Sequence, residues 1–258
     1  MTISPSDIGL ANIVEANLPA SDVIEADLPA VVEPSSSVGF RPFGDFARSQ
    51  LTQGLSAPTL TLASGRTDVA RAIDQQINDG RAVPYNSYAD STNFRQWAES
   101  GAKGEIPKGS QACWEPFLAE ALRQNLISPQ RVAQAYAGGL PRIEALLTTK
   151  GVTRYDPGNG LTPKLGELVY FEITQPDGSP LLDQDGNANP APLLAHAGIV
   201  VGFAADGSPL IASHFPAGAE SSGGKTISAP LERTSIGAIE QRLSSIGTVN
   251  VYYGSPPW

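Results

Sequence analysis

The chain has 258 residues, 41% of them apolar, enough for one sizeable core and too short to require two catalytic domains. Its 26 acidic side chains against 17 basic ones give a net charge of −9, which leaves no basic surface to neutralise phosphates and excludes nucleic acid as an expected partner. A single cysteine excludes an intrachain disulfide, and no segment approaches the ~20 apolar residues that cross a bilayer, so membrane insertion is not expected.

Residues 1–40 carry six acidic side chains, no Lys or Arg, and scattered Pro and Ser. Burial cannot offset the ordering entropy of such a composition. Residues 1–60 are therefore expected to form a disordered acidic tail, and residues 61–258 the folded domain. Within the tail, NIVEANLPAS is followed by the near-repeat DVIEADLPAV, either a docking or secretion segment or a chance duplication. The N-terminus shows no basic stretch followed by an apolar one, so any export is expected to use a route that needs no signal peptide.

The first helix is expected over TDVARAIDQQIND, ended by Gly80, with Val69, Ala72, Ile73 and Ile77 on one face. Further helices follow at STNFRQWAES, capped by Ser91; at CWEPFLAEALRQN; at SPQRVAQAYAG, with Ser128 as cap and Pro129 in the first helical position; and at PRIEALLTT. From residue 165 the pattern turns to strands: LGELVYFEIT, then HAGIVVGF and PLIASHF joined by an Ala-Ala-Asp-Gly-Ser turn, and finally GTVNVYYG. Residues 175–193, rich in Pro, Asp, Gly and Asn, form a long surface loop suited to edge a cleft, and LERTSIGAIEQRLSSI is read as a late helix. Helices first and strands second predict an α+β fold, a helical first half packed on an antiparallel sheet with the helices segregated to one side of it.

Pro116 is tolerated only in the first turn of a helix, which sets Cys113 at or just before the helix start. Unpaired amides and the helix dipole there favour an anion, so the thiol pKa is expected to fall below about 8.5. The same amides could stabilise a tetrahedral oxyanion. The competing reading makes Cys113 a small buried apolar residue. A thiol nucleophile needs an imidazole, and the two histidines, His196 and His214, lie on the two arms of one hairpin. His196 opens its strand, with small residues at 197 and 198 leaving room for a helix tip; the alternative is a structural histidine. If Phe203 pairs with Leu210, Ser213 shares the sheet face of His196, and His214 reaches it only through a bulge or slip. Trp114 and Tyr88 are candidates to line a cleft, or core aromatics. The spacing of Asp, Glu and His suggests no metal site, and neither GGL at 138–140 nor SSGG at 221–224 forms a phosphate loop, so no cofactor is expected.

A Cys at a helix start, a GELVYF strand and an HAGIVVG hairpin together resemble the papain-like cysteine hydrolases of the NlpC-type amidase and peptidase superfamily. CWEPFLAEAL resembles the Cys-Trp-Glu helix start of bacterial toxin and effector domains. The resemblance covers about residues 85–215. It implies a papain-like fold and a thiol amidase or peptidase with Cys113 as nucleophile and His196 as base. It favours His214 as the third residue, whereas the hairpin parity favours Ser213. One feature departs from it: DSTNF at 90–94 resembles the DCTNF nucleophile motif of another amidase branch, with Ser91 where that branch has cysteine, which under that alignment would make the chain inactive.

The implied substrate is an amide bond in a peptidoglycan stem peptide or in a protein. For a secreted or injected bacterial toxin or effector the implied partners are an immunity protein or a host target protein; the alternative location is the cytoplasm. Two other functions compete. One is acyl or ester transfer on the same fold, for which no basic amphipathic helix speaks. The other is a non-catalytic binding module, which predicts an unreactive, buried Cys113.

Overall fold

The computed structural model describes residues 57–81, 92–109, 111–182, 186–214, 221–222, 225–226 and 231–258. The acidic tail with its near-repeat, Tyr88 and Ser91 lie outside the described residues.

The helical half contains α1 (Ala57–Asn78), α2 (Asn93–Glu99), α3 (Glu115–Arg123), α4 (Pro129–Ala137) and α5 (Leu140–Leu147). Helix α1 starts well before the expected Thr67, so residue 61 falls inside it. It runs through Gly65, a residue that costs about 1 kcal/mol against alanine in a helix interior. A Cβ at this position would lie 2.9 Å from Leu126 Cδ2, so the glycine lets the helix approach its neighbour, and tertiary packing outweighs propensity. Val69 and Ile73 are buried as the periodicity requires, Ala70 joins them, and Ile77 is partly buried against the same cluster. The cap of α2 is Thr92 rather than Ser91: its Oγ1 accepts from the Arg95 amide at 3.0 Å. Ser128 caps α4 through the Arg131 amide at 3.3 Å, with Pro129 in the first turn, as expected.

The second half supplies β1 (Thr153–Arg154), β2 (Leu168–Thr174), β3 (His196–Phe203), β4 (Pro209–Ser213), β5 (Ser221–Ser222), β6 (Lys225–Thr226), β7 (Glu232–Ser235), α6 (Ile236–Leu243) and β8 (Thr248–Gly254). Strands β5 and β6 pair with each other, and the other six form one antiparallel sheet in the order β1-β8-β2-β3-β4-β7. The molecule is thus a mixture of helices and antiparallel sheet, in agreement with the expected α+β class.

Two expectations need correction. The stretch read as one late helix begins as a strand: Glu232–Ser235 pairs along β4, and Ser235 then caps α6 by accepting from the Ala238 amide at 3.1 Å. Nor do all helices lie on one side. Leu168, Val169, Tyr170 and Phe171 of β2 are each at most 1% exposed, so the strand is apolar at both parities and both of its faces need cover. Leu168, Tyr170, Ala197, Ile199 and Ala212 pack with the cluster built from α1–α5, whereas Val169, Phe171, Val200 and Ile211 pack with Ile236, Ile239 and Leu243 of α6.

Gly166, ahead of β2, has φ +80°, and a Cβ there would lie 2.5 Å from the Arg66 carbonyl oxygen. This backbone contact seats α1 against the sheet, and Arg66 and Ser255 reinforce it through Glu167. Trp258, 1% exposed, joins the helix-side cluster, and its carbonyl accepts from Lys150 Nζ at 3.0 Å. The loop that leads into β3 is tied down at its end: Leu193 N–H donates to Glu144 Oε2 at 2.8 Å, and Leu194 bridges to Phe171.

Candidate functional site

Cys113 stands one residue before Trp114, the cap of α3, with Pro116 in the first helical turn. The helix carries this end into the middle of the sheet. The sulfur receives hydrogen bonds from the backbone amides of Ala197, of Cys113 itself and of Trp114, so the thiol rests against β3 immediately after His196. The small residue at 197 accommodates the helix tip.

The expected low thiol pKa is reversed. Cys113 is 3% exposed, and burial pushes its thiol from 9.0 up to about 12; the backbone amides pull downward, and the negative charge of Glu115 adds to the rise. Loss of water around a thiolate outweighs the few amides that face it. His196, also 3% exposed, is held down from 6.5 to about 3, first by burial and then by the nearby charge of His214. Buried in this way, thiol and imidazole are both neutral near pH 7.

His196 Nε2 lies 2.6 Å from Ser213 Oγ, and Ser213 has no exposed surface. The turn pairs Phe203 with Pro209 and Gly202 with Leu210, one position away from the expected Phe203–Leu210 pairing. A bulge between Val200 and Gly202 then changes the register to Val200–Ile211 and Ile199–Ala212, which restores the parity and brings Ser213 to the face of His196. The His196 ring also packs 5.8 Å from the ring of Phe171, on the α6 side of the sheet. His214, 1% exposed, alternates to the other face; extending the ladder two residues past Ile199–Ala212 sets it opposite Ala197, whose cluster contains Cys113. Of the two candidates for the third residue, Ser213 is hydrogen-bonded to His196. Gly198 keeps the hairpin tight: a Cβ there would stand 3.0 Å from Ile211 Cδ1 and 3.1 Å from the Ala212 carbonyl oxygen.

Trp114 does not line a cleft. It is 4% exposed, and its Nε1 donates to Tyr136 OH at 3.2 Å, so it is a core aromatic with a satisfied polar atom. Two buried polar residues, each two positions from Cys113, were missed by sequence reasoning. Gln111 is 2% exposed, and its Nε2 has no hydrogen-bond partner among the described residues. Glu115 is fully buried, and burial raises its carboxyl from 4.5 to about 7 against the hydrogen bonds of Ala112, Thr92 and Tyr136. The signal for Glu115 was in the sequence, an acid in the first turn of the cysteine helix, but its burial depends on α2 and α4. Among the described residues no group of three or more His, Cys, Asp or Glu is arranged to hold a metal ion, and no helix is long and apolar enough to cross a membrane.

Comparison with known proteins found no matching family model, and no curated protein or solved structure that matches the chain significantly.

Proposed function

We propose that the chain is a cysteine hydrolase of papain-like, NlpC-type organisation that cleaves an amide bond in a peptide or peptidoglycan stem. Cys113 is the nucleophile, and an imidazole of the β3–β4 hairpin is the base that takes its proton: His196, whose neighbour Ala197 turns its amide to the sulfur and whose ring Ser213 holds on the α6 face, or His214, which lies on the face of the Cys113 cluster. One observation carries this reading: the thiol at the start of α3 is hydrogen-bonded to the amide next to a buried histidine, which is itself held by a serine at 2.6 Å. Because both groups start neutral, the proton leaves sulfur as the sulfur–carbonyl bond forms, rather than beforehand to give a standing ion pair. The carbonyl oxygen becomes an oxyanion. In this reading the amides of Cys113 and Trp114, which face the sulfur, stabilise it, and the Gln111 Nε2 is a further donor close in sequence. The protonated imidazole then returns its proton to the leaving amine, and water hydrolyses the thioester.

Delivery into another cell as a toxin or effector is part of the same proposal and rests on the acidic composition of residues 1–40 and the Cys-Trp-Glu helix start. The test is growth of bacteria expressing the chain in periplasm or cytosol, with Cys113→Ala and His196→Ala at matched protein levels. Lysis by the periplasmic wild type alone supports a cell-wall amidase, and cytosolic toxicity by the wild type alone supports a protein-directed hydrolase. Identical behaviour of all three overturns the hydrolase.

A second reading is favoured by one specific observation. A non-catalytic module on the same scaffold predicts an unreactive, buried cysteine, and burial does raise the Cys113 thiol. Since both readings keep the thiol buried and neutral at pH 7, turnover separates the two: cleavage of peptide or peptidoglycan that is lost in Cys113→Ala supports the enzyme, and no cleavage by the folded wild type supports the binding module.

A further inference from the structure

Two residues beyond Cys113, the carboxyl of Glu115 joins three segments of the helical half. Thr92 Oγ1, at the cap of α2, lies 3.0 and 2.8 Å from its two oxygens; the Ala112 amide donates at 2.7 Å; and Tyr136 OH, from α4, donates at 3.0 Å. Tyr136 OH in turn accepts from Trp114 Nε1 at 3.2 Å, so residues 112, 114 and 115 are fastened on either side of the thiol. The carboxyl has no exposed surface. Holding this turn needs acceptors but no net charge, and an anion buried two residues from a nucleophile opposes formation of a thiolate.

We propose that Glu115 is a positioning residue for the thiol: it fixes the Ala112–Trp114 turn against α2 and α4 so that the sulfur meets the Ala197 amide, and its protonation state sets the charge that the sulfur faces. The proposal rests on the reading of Cys113 as nucleophile. Charged and titratable groups around the carboxyl come from each packed element: Arg95 of α2 favours its ionised form, Tyr136 of α4 donates to it, and Cys113 lies on its own segment. When Glu115 takes up a proton, the repulsion on an incipient thiolate disappears while the neutral carboxyl still accepts from Ala112.

The test uses the full chain, whose single cysteine makes labelling site-specific. The rate of iodoacetamide alkylation is measured from pH 5 to 10 for wild type, Glu115→Gln and Tyr136→Phe, with a urea midpoint for each. Glu115→Gln keeps the shape and removes the charge; its profile is expected to move to lower pH, raising the rate at pH 8 several-fold. Tyr136→Phe, with one donor fewer for the carboxylate, is expected to move the same way by less. A folded Glu115→Gln with the wild-type profile overturns the proposal; should that variant not fold, an unmoved profile in Tyr136→Phe does so. Alkylation reads the thiol and not turnover. The hydrolase fails separately, if Cys113→Ala leaves substrate cleavage unchanged.

Discussion

His196 Nε2 and Ser213 Oγ approach to 2.6 Å in a part of the sheet where neither side chain is more than 3% exposed. Ser213→Ala should leave a buried ring nitrogen without this partner and cost about 1–3 kcal/mol, read as a lower urea midpoint. Substrate cleavage should fall with it, because the imidazole loses the group that fixes its orientation. Ser213→Thr, which keeps the hydroxyl, should recover part of both. An alanine variant with wild-type stability would show that this hydrogen bond contributes nothing.

Acid stability should record two opposed titrations. His196 binds its proton in the folded state only near pH 3, against 6.5 ordinarily. The unfolded chain therefore holds more protons between these values, and stability is lost as pH falls, by up to roughly 5 kcal/mol. Glu115 keeps its proton in the folded state up to about pH 7, against 4.5 ordinarily. Its contribution is complete below pH 4.5 and is lost as pH rises to 7, by roughly 3 kcal/mol. From pH 6.5 to 4.5 the two offset each other. Urea midpoints across pH 3–8 should show Glu115→Gln losing stability from pH 6.5 downward where wild type holds nearly level, and His196→Gln gaining on acidification.

Two glycines with similar backbone should respond differently to alanine. Gly178 has φ +82° with open space around its Cβ position, so Gly178→Ala should cost only the left-handed penalty of about 1 kcal/mol. Gly166 has φ +80° and a Cβ site 2.5 Å from the Arg66 carbonyl oxygen, so Gly166→Ala must also push α1 off the sheet. Thermal unfolding should place the second variant well below the first; equal losses would mean that the α1 contact is yielding.

Gln111 Nε2 is a buried donor without an acceptor among the described residues. Gln111→Met should remove the desolvation cost of that donor and leave the melting temperature unchanged or higher. If Gln111 serves the oxyanion, turnover should fall by ~10²-fold with KM little altered. Unchanged turnover would leave stabilisation of the oxyanion to the backbone amides.

The local signals in the sequence were reliable where local forces decide. Ser128 and Pro129 start α4 and Pro116 fixes the start of the cysteine helix; Ser213 shares the face of His196 because a bulge between Val200 and Gly202 offsets a turn one position away from the expected pairing. Strands β2, β3, β4 and β8 were legible because apolar runs rich in β-branched and aromatic residues are bounded there by turn residues. The start of α1 was not, because packing of Gly65 against Leu126 overrides its propensity. The strand Glu232–Ser235 was missed because only pairing with β4 distinguishes it from a first helical turn.

The sequence by itself determined that one thiol sits at a helix start, that two histidines share a hairpin, and that helices precede an antiparallel sheet; each follows from residue type and spacing along the chain. Tertiary structure alone decided how deeply those groups are buried. The helix-start amides were expected to make Cys113 acidic, but enclosure by the sheet and the helices takes water from the thiol, and its pKa rises to about 12. The same enclosure draws Thr92, Ala112 and Tyr136 onto Glu115 and lifts that carboxyl to about 7. Desolvation is set by everything that surrounds a group, and spacing along the chain does not record it.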